Sequence, residues 1–516
     1  MRVGVIKLLF IGMTWALSVG FVSAQKYDYT WLTGYDSYAI HDTATSHTFG
    51  NTKFDFNQAQ VAITLDSLGI NFNRCISVIS DSIGNVLFYT NGVRVNNGLD
   101  ELIQNGDSLG WGALYSYFST YEYESGNANP DILISLPNPK SKNIFDLFYG
   151  YIDTSNGGTD LSCKRLLQAK IDIVANNAHS AVIEKDRIVL QRETNWSITA
   201  LRHANGRDWW ICTGITGGNC YEVFLYDGSD TPQWTVQCGG INLLHDHSYC
   251  ARFSPDGTHY MVASDLGSGS LFDFDRCSGT LTLKEEFGVG TLEGSADIWP
   301  AGLEFSPDSR FVYLFCGERT IQLDVQASPV ISSIDTVNRY DGFNVPYPSI
   351  SSYGQLAPDG KIYTCTEGGN YYISVIDNPN GQGANCNFLP HNIQMPSWMI
   401  GLPYYPNYRL GALAGSACDT LAGLNEIARA DKEKIIKIFP NPAIDNTIVD
   451  YGFTDWSKGP VSLQISNELG QIVFEQTLPM YSGYQKIDVS KFAAGLYNAA
   501  IVRNNGVVGV GKFVKE

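Results

Sequence analysis

The sequence predicts an all-β protein: a β-propeller, with seven blades expected and six as the alternative, followed by a small antiparallel β-sandwich. Three observations carry that expectation. One phrase is written three times, as ARFSPDGTHY at 251–260, LEFSPDSRFVY at 303–313 and GQLAPDGKIY at 354–363. The 516 residues are rich in Gly (51) and Tyr (29), and only 17% are charged, which suits strands and tight turns in a folded body. Strand patterning then restarts after a charged stretch that follows Cys418.

The first 24 residues read as a signal peptide. Arg2 and Lys7 precede an apolar run from Leu8 to Val22, and Val22-Ser23-Ala24 offers small residues for cleavage before Gln25. A retained membrane anchor is the alternative, and the run is short for a span. An exported, soluble protein is expected, and export permits disulfides. The 11 cysteines all lie between Cys75 and Cys418, with Cys212/Cys220 and Cys238/Cys250 as plausible pairs.

Residues 25–418 are expected to form the propeller. Phe253 and Phe305 are 52 residues apart, and Phe305 and Leu356 are 51 apart. Each phrase opens a set of short strands: Ala251–Phe253, Tyr260–Ser264, Leu271–Asp275 and Leu281–Lys284 in the first copy. The second gives Leu303–Phe305, Phe311–Cys316, Thr320–Val325 and Val330–Ile334, and the third Tyr353–Leu356, Lys361–Cys365 and Tyr371–Asp377. Proline sets φ at the turn entry, aspartate caps the turn, and glycine takes positive φ at its exit. Asp256, Asp308 and Asp359 are therefore turn residues first. Weaker copies lie at 80–92, 137–151 and 203–213. Four short strands per repeat of about 50 residues is a propeller period. A further blade is expected from Phe54–Leu65 joined with Tyr404–Ala414, leaving no open sheet edge.

These FSPDG-type turns resemble those of WD-repeat-like and lactonase-like propellers. The resemblance covers most of 70–390 and is architectural. The Trp-Asp dipeptide is missing, since the third strands end FDFD, IQLD and SVID. Fold alone assigns no activity.

Residues 419–434 read as a linker, and 435–516 as the sandwich. This tail resembles the type A C-terminal sorting domain of the type IX secretion system of the Bacteroidota. Phe439-Pro440-Asn441-Pro442 matches the family's opening PNP motif. Asn467 to Gly470 fits its central turn, Gly495-Leu496-Tyr497 its G-x-Y step, and Lys512-Phe513-Val514 its last strand. The resemblance implies passage through the periplasm to the outer-membrane translocon and removal of the tail by a sortase-like peptidase. The cargo is then anchored to lipopolysaccharide or released. Several Asp-Ser/Thr-apolar triplets, including those at Asp42, Asp66 and Asp419, resemble O-glycosylation sites of this group. Asn195-Trp196-Ser197 is a formal N-glycosylation sequon.

Charge separates the two parts. Residues 435–516 carry seven basic and seven acidic residues, whereas 25–434 carry 25 basic and 45 acidic, a net of −20. An acidic body argues against a nucleic-acid partner. No nucleophile elbow, P-loop, dinucleotide fingerprint or HExxH occurs. His245 and His247, two apart in HDHSYC, are the metal candidates, with calcium or zinc as the cation; the competing reading is loop histidines held by hydrogen bonds. In a propeller the links between blades open on one face. Trp196, His245, His247, Tyr249, Trp299, Tyr347 and Trp398 fall there, with Asp297 and Asp341 nearby, and would form a glycan- or peptide-binding surface. The competing reading wedges these rings between blades as core. The expected function is a secreted or surface-displayed binding protein. The alternatives are a hydrolase or lyase acting on glycans or lactones, and a structural component of the cell envelope.

Overall fold

A computed structural model of the protein describes residues 25–35, 50–112, 126–127, 129, 131–155, 160–175, 179–230, 233–244, 249–288, 300–416, 418, 436–451, 461–467, 471–478, 483–503 and 506–516. The chain divides into two compact units: Met1–His203 with Arg207–Gly411, and Ala204–Gly206 with Ala412–Glu516.

The first unit is a succession of antiparallel meanders. Strands β1–β3 (Thr30–Tyr35, Gly50–Asp55, Ala62–Asp66) and β4–β6 (Ser77–Ser80, Val86–Thr90, Val95–Asn97) form three-stranded sheets. Strands β7–β10 (Leu133–Pro137, Ile144–Ser155, Asp160–Asp172, Ala181–Leu190) and β11–β14 (Thr194–Arg202, Trp209–Ile215, Gly218–Tyr226, Trp234–Leu243) are two such sets, joined by one pairing, Thr194 with Cys163. Three four-stranded sheets follow. They are β15–β18 (Tyr249–Phe253, His259–Ser264, Ser268–Asp275, Thr280–Gly288), β19–β22 (Gly302–Phe305, Phe311–Phe315, Arg319–Asp324, Asp335–Arg339) and β23–β26 (Tyr353–Leu356, Ile362–Cys365, Asn370–Ile376, Phe388–Met399). First strands touch in order: β1 on β4, β4 on β7, β7 on β11, β11 on β15, β15 on β19, β19 on β23. β26 lies against β1, β2 and β3. The unit is a β-propeller.

The repeated phrase builds the first hairpin of its sheet. Asp256 Oδ1 accepts the Thr258 N–H at 2.9 Å, Asp308 Oδ1 that of Arg310 at 3.1 Å, and Asp359 Oδ1 that of Lys361 at 3.2 Å. Gly257 and Gly360 sit at φ 76° and 81°. In the middle copy Ser309 holds φ 65°, and its Oγ accepts the Asp256 N–H from the neighbouring hairpin at 3.0 Å.

Three expectations are corrected. Val330–Ser333 is a 3-10 turn, and the fourth strand of its sheet begins at Asp335. The Glu285 carboxylate of β18 captures the N–H groups of Val330 and Ile331 at 2.6 and 3.0 Å, which withdraws them from the sheet. Residues 404–414 form no strand. Instead Tyr404, Tyr405 and Tyr408 are buried, and the segment bonds to the first strands or their ends: Tyr405 Oη donates to Thr30 O (3.3 Å), Tyr408 Oη to Ser135 O (2.6 Å), and Asn407 Nδ2 to Pro255 O (2.8 Å). Three aromatic rings in five residues are better placed in that packed interior than on a strand with one solvated face. Third, Cys220 is disulfide-bonded to Cys238 rather than to Cys212. Cys220 and Cys238 are Cα partners across β13 and β14, 4.0 Å apart, whereas Cys212 faces Val223 and Cys250 faces Ala263, both as buried thiols.

The second unit contains two sheets. Strands β27–β33 are Lys437–Phe439, Asn446–Tyr451, Val461–Ser466, Ile472–Leu478, Gly483–Asp488, Gly495–Arg503 and Gly506–Lys515. One sheet runs β27-β28-β31, the other β30-β29-β32-β33. Alternation drives the packing: Val461, Leu463 and Ile465 turn inward on β29, and Tyr497, Ala499 and Ile501 on β32, in one core.

Candidate functional site

Two constellations in the propeller have the chemistry to meet a ligand. The first is a cluster of rings at one end of the β23–β26 sheet. Tyr347 lies in the link between β22 and β23, Tyr371 is the second residue of β25, and Trp398 is near the end of β26. The Trp398 ring meets Tyr347 at 5.6 Å and 84°, and Tyr371 at 5.3 Å and 77°. Such edge-to-face contacts are the favoured arrangement of aromatic quadrupoles. Tyr347 is 56% exposed, while Tyr371 and Trp398 are half-buried.

Local structure explains the convergence. Asn370 is buried, and its Nδ2 donates to Tyr347 O at 2.9 Å, fastening the link to the β24–β25 turn. Gly369 sits at φ 84°, where a Cβ would lie 2.5 Å from Trp398 Nε1, so only glycine leaves room for the indole. Beside the cluster, Phe343 stacks on His391 (4.0 Å, 11°), and His391 Nε2 lies 2.9 Å from Asp341 Oδ2. The hydrogen bond to His391 holds the Asp341 carboxyl below its ordinary value.

The second constellation surrounds the segment 401–411. Arg252 of β15, Glu304 of β19 and Gln355 of β23 occupy the same offset in the three copies of the repeated phrase. All three are buried, and they line a cavity of about 360 Å³ with Tyr404 and Tyr405. Arg252 Nη1 and Nη2 donate to the two Asp131 carboxylate oxygens at 2.8 and 2.9 Å, and its guanidinium covers the Tyr404 ring at 4.0 Å. Arg252 Nε lies 3.9 Å from Glu304 Oε2. Glu304 accepts the N–H groups of Phe305 and Leu356 at 3.0 and 3.2 Å. Burial lifts the Glu304 carboxyl to about 7, against the opposing pull of Arg252. Burial alone would lower Arg252, but Asp131 holds its guanidinium above its ordinary value.

The structure separates the candidate residues. It joins Tyr347 to Trp398. Trp196 lies within β11 rather than in a link, half-buried against the main core. Tyr249 is buried at the start of β15, with its Oη accepting from Leu244 N and donating to Asn242 O, so it packs as core. Asn195 is also buried, its Oδ1 taken by the Gly214 N–H at 3.1 Å, so burial keeps the sequon's side chain away from the surface. His245, His247, Trp299 and Asp297 lie outside the described residues, as do residues 1–24 and Gly470. Among the described residues no group of three or more His, Cys, Asp or Glu is placed to hold a metal.

Tyr371 was missed because it reads as an ordinary strand residue. Arg252 and Glu304 were missed although a signal existed: three successive copies carry a polar side chain at one offset inside otherwise apolar strands.

In the second unit, Asn441 Nδ2 donates to Lys512 O (3.1 Å) and Asn441 Oδ1 accepts the Val514 N–H (2.9 Å). Pro440 O accepts from Thr447 Oγ1 at 3.1 Å, and Pro442 follows directly. Tyr497 stacks on Phe513 at 5.5 Å and donates to Ala493 O, behind Gly495.

No curated protein matches the chain. Several solved structures are similar at low identity. A Lactobacillus plantarum protein is 10% identical with a TM-score of 0.36, covering 89% of this chain and 100% of its own. The periplasmic gluconolactonase of Pseudomonas aeruginosa is 12% identical with a TM-score of 0.38, covering 73% and 98%. The Cps50 (Swd1) β-propeller domain of Myceliophteria thermophila is 9% identical with a TM-score of 0.34, covering 64% and 87%. Residues 437–516 match the secretion system C-terminal sorting domain. The chain thus carries the address of the type IX secretion system at its C-terminal end and is exported to the cell surface or the extracellular space.

Proposed function

We propose that this is a type IX-exported binding protein whose propeller presents Tyr347, Tyr371 and Trp398 to an extracellular glycan or protein ligand. One observation carries the reading: rings from three separate segments converge in edge-to-face contact yet keep part of their surface in water. Rings of this kind bind sugar faces and apolar side chains through stacking and burial. Removal of the tail by a sortase-like peptidase, and anchoring to lipopolysaccharide, belong to the same proposal. The test is retention of the purified chain, without residues 1–24, on immobilised glycans and surface polymers, with product analysis on the same samples. Retained, unchanged ligand supports the reading.

A second reading is an enzyme acting on glycans or lactones at the Arg252–Glu304 cavity. It is favoured by one observation, a buried carboxyl lifted to about 7 that lies near a second carboxylate, Asp131, across Arg252. Ligand consumed by the wild type and spared by Glu304→Gln would select this reading over the first.

A further inference from the structure

Between the first two sheets of the propeller lies a cleft of about 590 Å³ that neither functional reading uses. Its base is the end of β2. Lys53 and Asp55 are two apart on that strand and both line the cleft, so they stand on one face. Asn57 fixes the carboxylate: Asp55 Oδ1 accepts its N–H and its Nδ2, both at 2.9 Å. The Lys53 ammonium makes no hydrogen bond or ion pair among the described residues. Thr30 Oγ1 donates to Gly84 O at 2.9 Å and ties the two sheets together. Gly84, at φ 95°, lets Asn57 come close, since a Cβ there would lie 2.2 Å from the Asn57 amide.

The rim is apolar and held in place. Asp81 Oδ1 accepts the N–H groups of Ile83 and Asn85, both at 2.9 Å. Asn97 Oδ1 accepts those of Leu99 and Glu101 at 2.9 and 3.0 Å. The two turns use the same device, and each lifts an aliphatic side chain to the rim. Leu99 is 72% exposed and Ile83 69%, the two highest values for a large apolar side chain among the described residues. Scattered exposed apolar residues are ordinary. Here both line one cleft, positioned to cover the apolar groups of a ligand.

We propose that this cleft binds a short zwitterionic peptide with aliphatic side chains, of dipeptide size. Its carboxylate meets Lys53, its ammonium meets Asp55, and its side chains lie against Ile83 and Leu99. Two residues along a strand span about 6.6 Å, and an extended dipeptide about 7 Å, so the opposite charges meet in register. Among the described residues no aromatic ring lines the cleft, so a sugar finds no stacking face there. The site is separate from the rings at Tyr347, Tyr371 and Trp398.

The test is calorimetry of leucyl-leucine with the purified chain, without residues 1–24, beside N-acetyl-leucyl-leucine, leucyl-leucinamide and cellobiose. Wild type is expected to bind leucyl-leucine and to hold each blocked form about tenfold more weakly or worse. Lys53→Gln is expected to bind leucyl-leucine about tenfold more weakly than wild type and no longer to distinguish it from leucyl-leucinamide. Asp55→Asn should lose the distinction from the N-acetyl form. Ile83→Ser should weaken all three peptides alike, and Trp398→Ala should bind as wild type does. No heat from leucyl-leucine at millimolar concentration, equal binding of the blocked forms, or an unaltered Lys53→Gln would each overturn the proposal. Heat from cellobiose that Lys53→Gln abolishes would make the cleft a polyol site and overturn the zwitterion. Loss of leucyl-leucine in Trp398→Ala would place the peptide on the rings and overturn the cleft. If Asp55→Asn melts early through loss of its bonds to Asn57, the N-acetyl form on wild type decides: weakened binding supports the carboxylate's part and equal binding overturns it.

Discussion

Trp398 and Glu304 divide the two functional readings between single side chains. Replacing Trp398 with alanine removes the ring that both tyrosines contact, and it lies at the edge of a sheet rather than in a core. Ligand affinity is expected to fall about tenfold or more, with the melting temperature nearly unchanged; titration of both proteins against the retained ligand checks this. Glu304 makes a prediction about pH. Its folded-state value of about 7 exceeds the ordinary 4.5, so folding favours the protonated form. That contribution is fully present below about 4.5 and is lost as pH rises through about 7. Wild-type protein should therefore lose stability to urea between these values, and Glu304→Gln should lose markedly less. Identical pH dependence in the two proteins would contradict the burial of an ionisable group there.

At the scale of elements, the hairpin turns test how sequence becomes propeller. Gly257 and Gly360 stand at equal positions of two repeats with similar positive φ, but their surroundings differ. A Cβ on Gly257 would lie 2.7 Å from Arg276 Cδ and 2.9 Å from Leu201 Cδ2, whereas one on Gly360 meets nothing within 4 Å. Gly360→Ala is expected to cost about 1 kcal/mol from backbone strain, and Gly257→Ala about 2–3 kcal/mol because crowding adds to it. Urea midpoints of the two variants check the order. The cysteines offer a second test. Seven thiols are free and buried, and Cys277 and Cys418 join Cys220 and Cys238 in carrying none. Burial pushes the Cys163 thiol up to about 11. A thiol reagent should find no reactive cysteine in native protein and seven after unfolding without reductant.

These elements also explain what was legible in the sequence. The Pro-Asp-Gly turns were readable because their chemistry is local, as Asp256 bonding Thr258 illustrates. β26 was not, because Pro390 and Pro396 interrupt FLPHNIQMPSWM and its pairing with β25 is irregular. The cysteine pairing needed the register of β13 and β14, which spacing alone does not supply. Within the ring cluster, Tyr347 and Trp398 were readable as aromatics near sheet ends. Their contact, and the part of Tyr371, needed the turn at Gly369. Arg252 meets Asp131 from 121 residues away, a distance that the side-by-side packing of β7, β11 and β15 removes.

For the whole molecule, an acidic propeller and a charge-balanced sorting tail fit a protein that is folded and exported. The tail supplies the route, and in the proposed function the propeller supplies the contact. The central claim is that this contact is made by the rings at the end of the β23–β26 sheet. The most direct measurement is retention of wild type, Trp398→Ala and Glu304→Gln, side by side, on the polymer that holds the wild type. The account predicts that Trp398→Ala is released and Glu304→Gln is held. Retention of Trp398→Ala together with release of Glu304→Gln would contradict it and move the contact to the buried cavity.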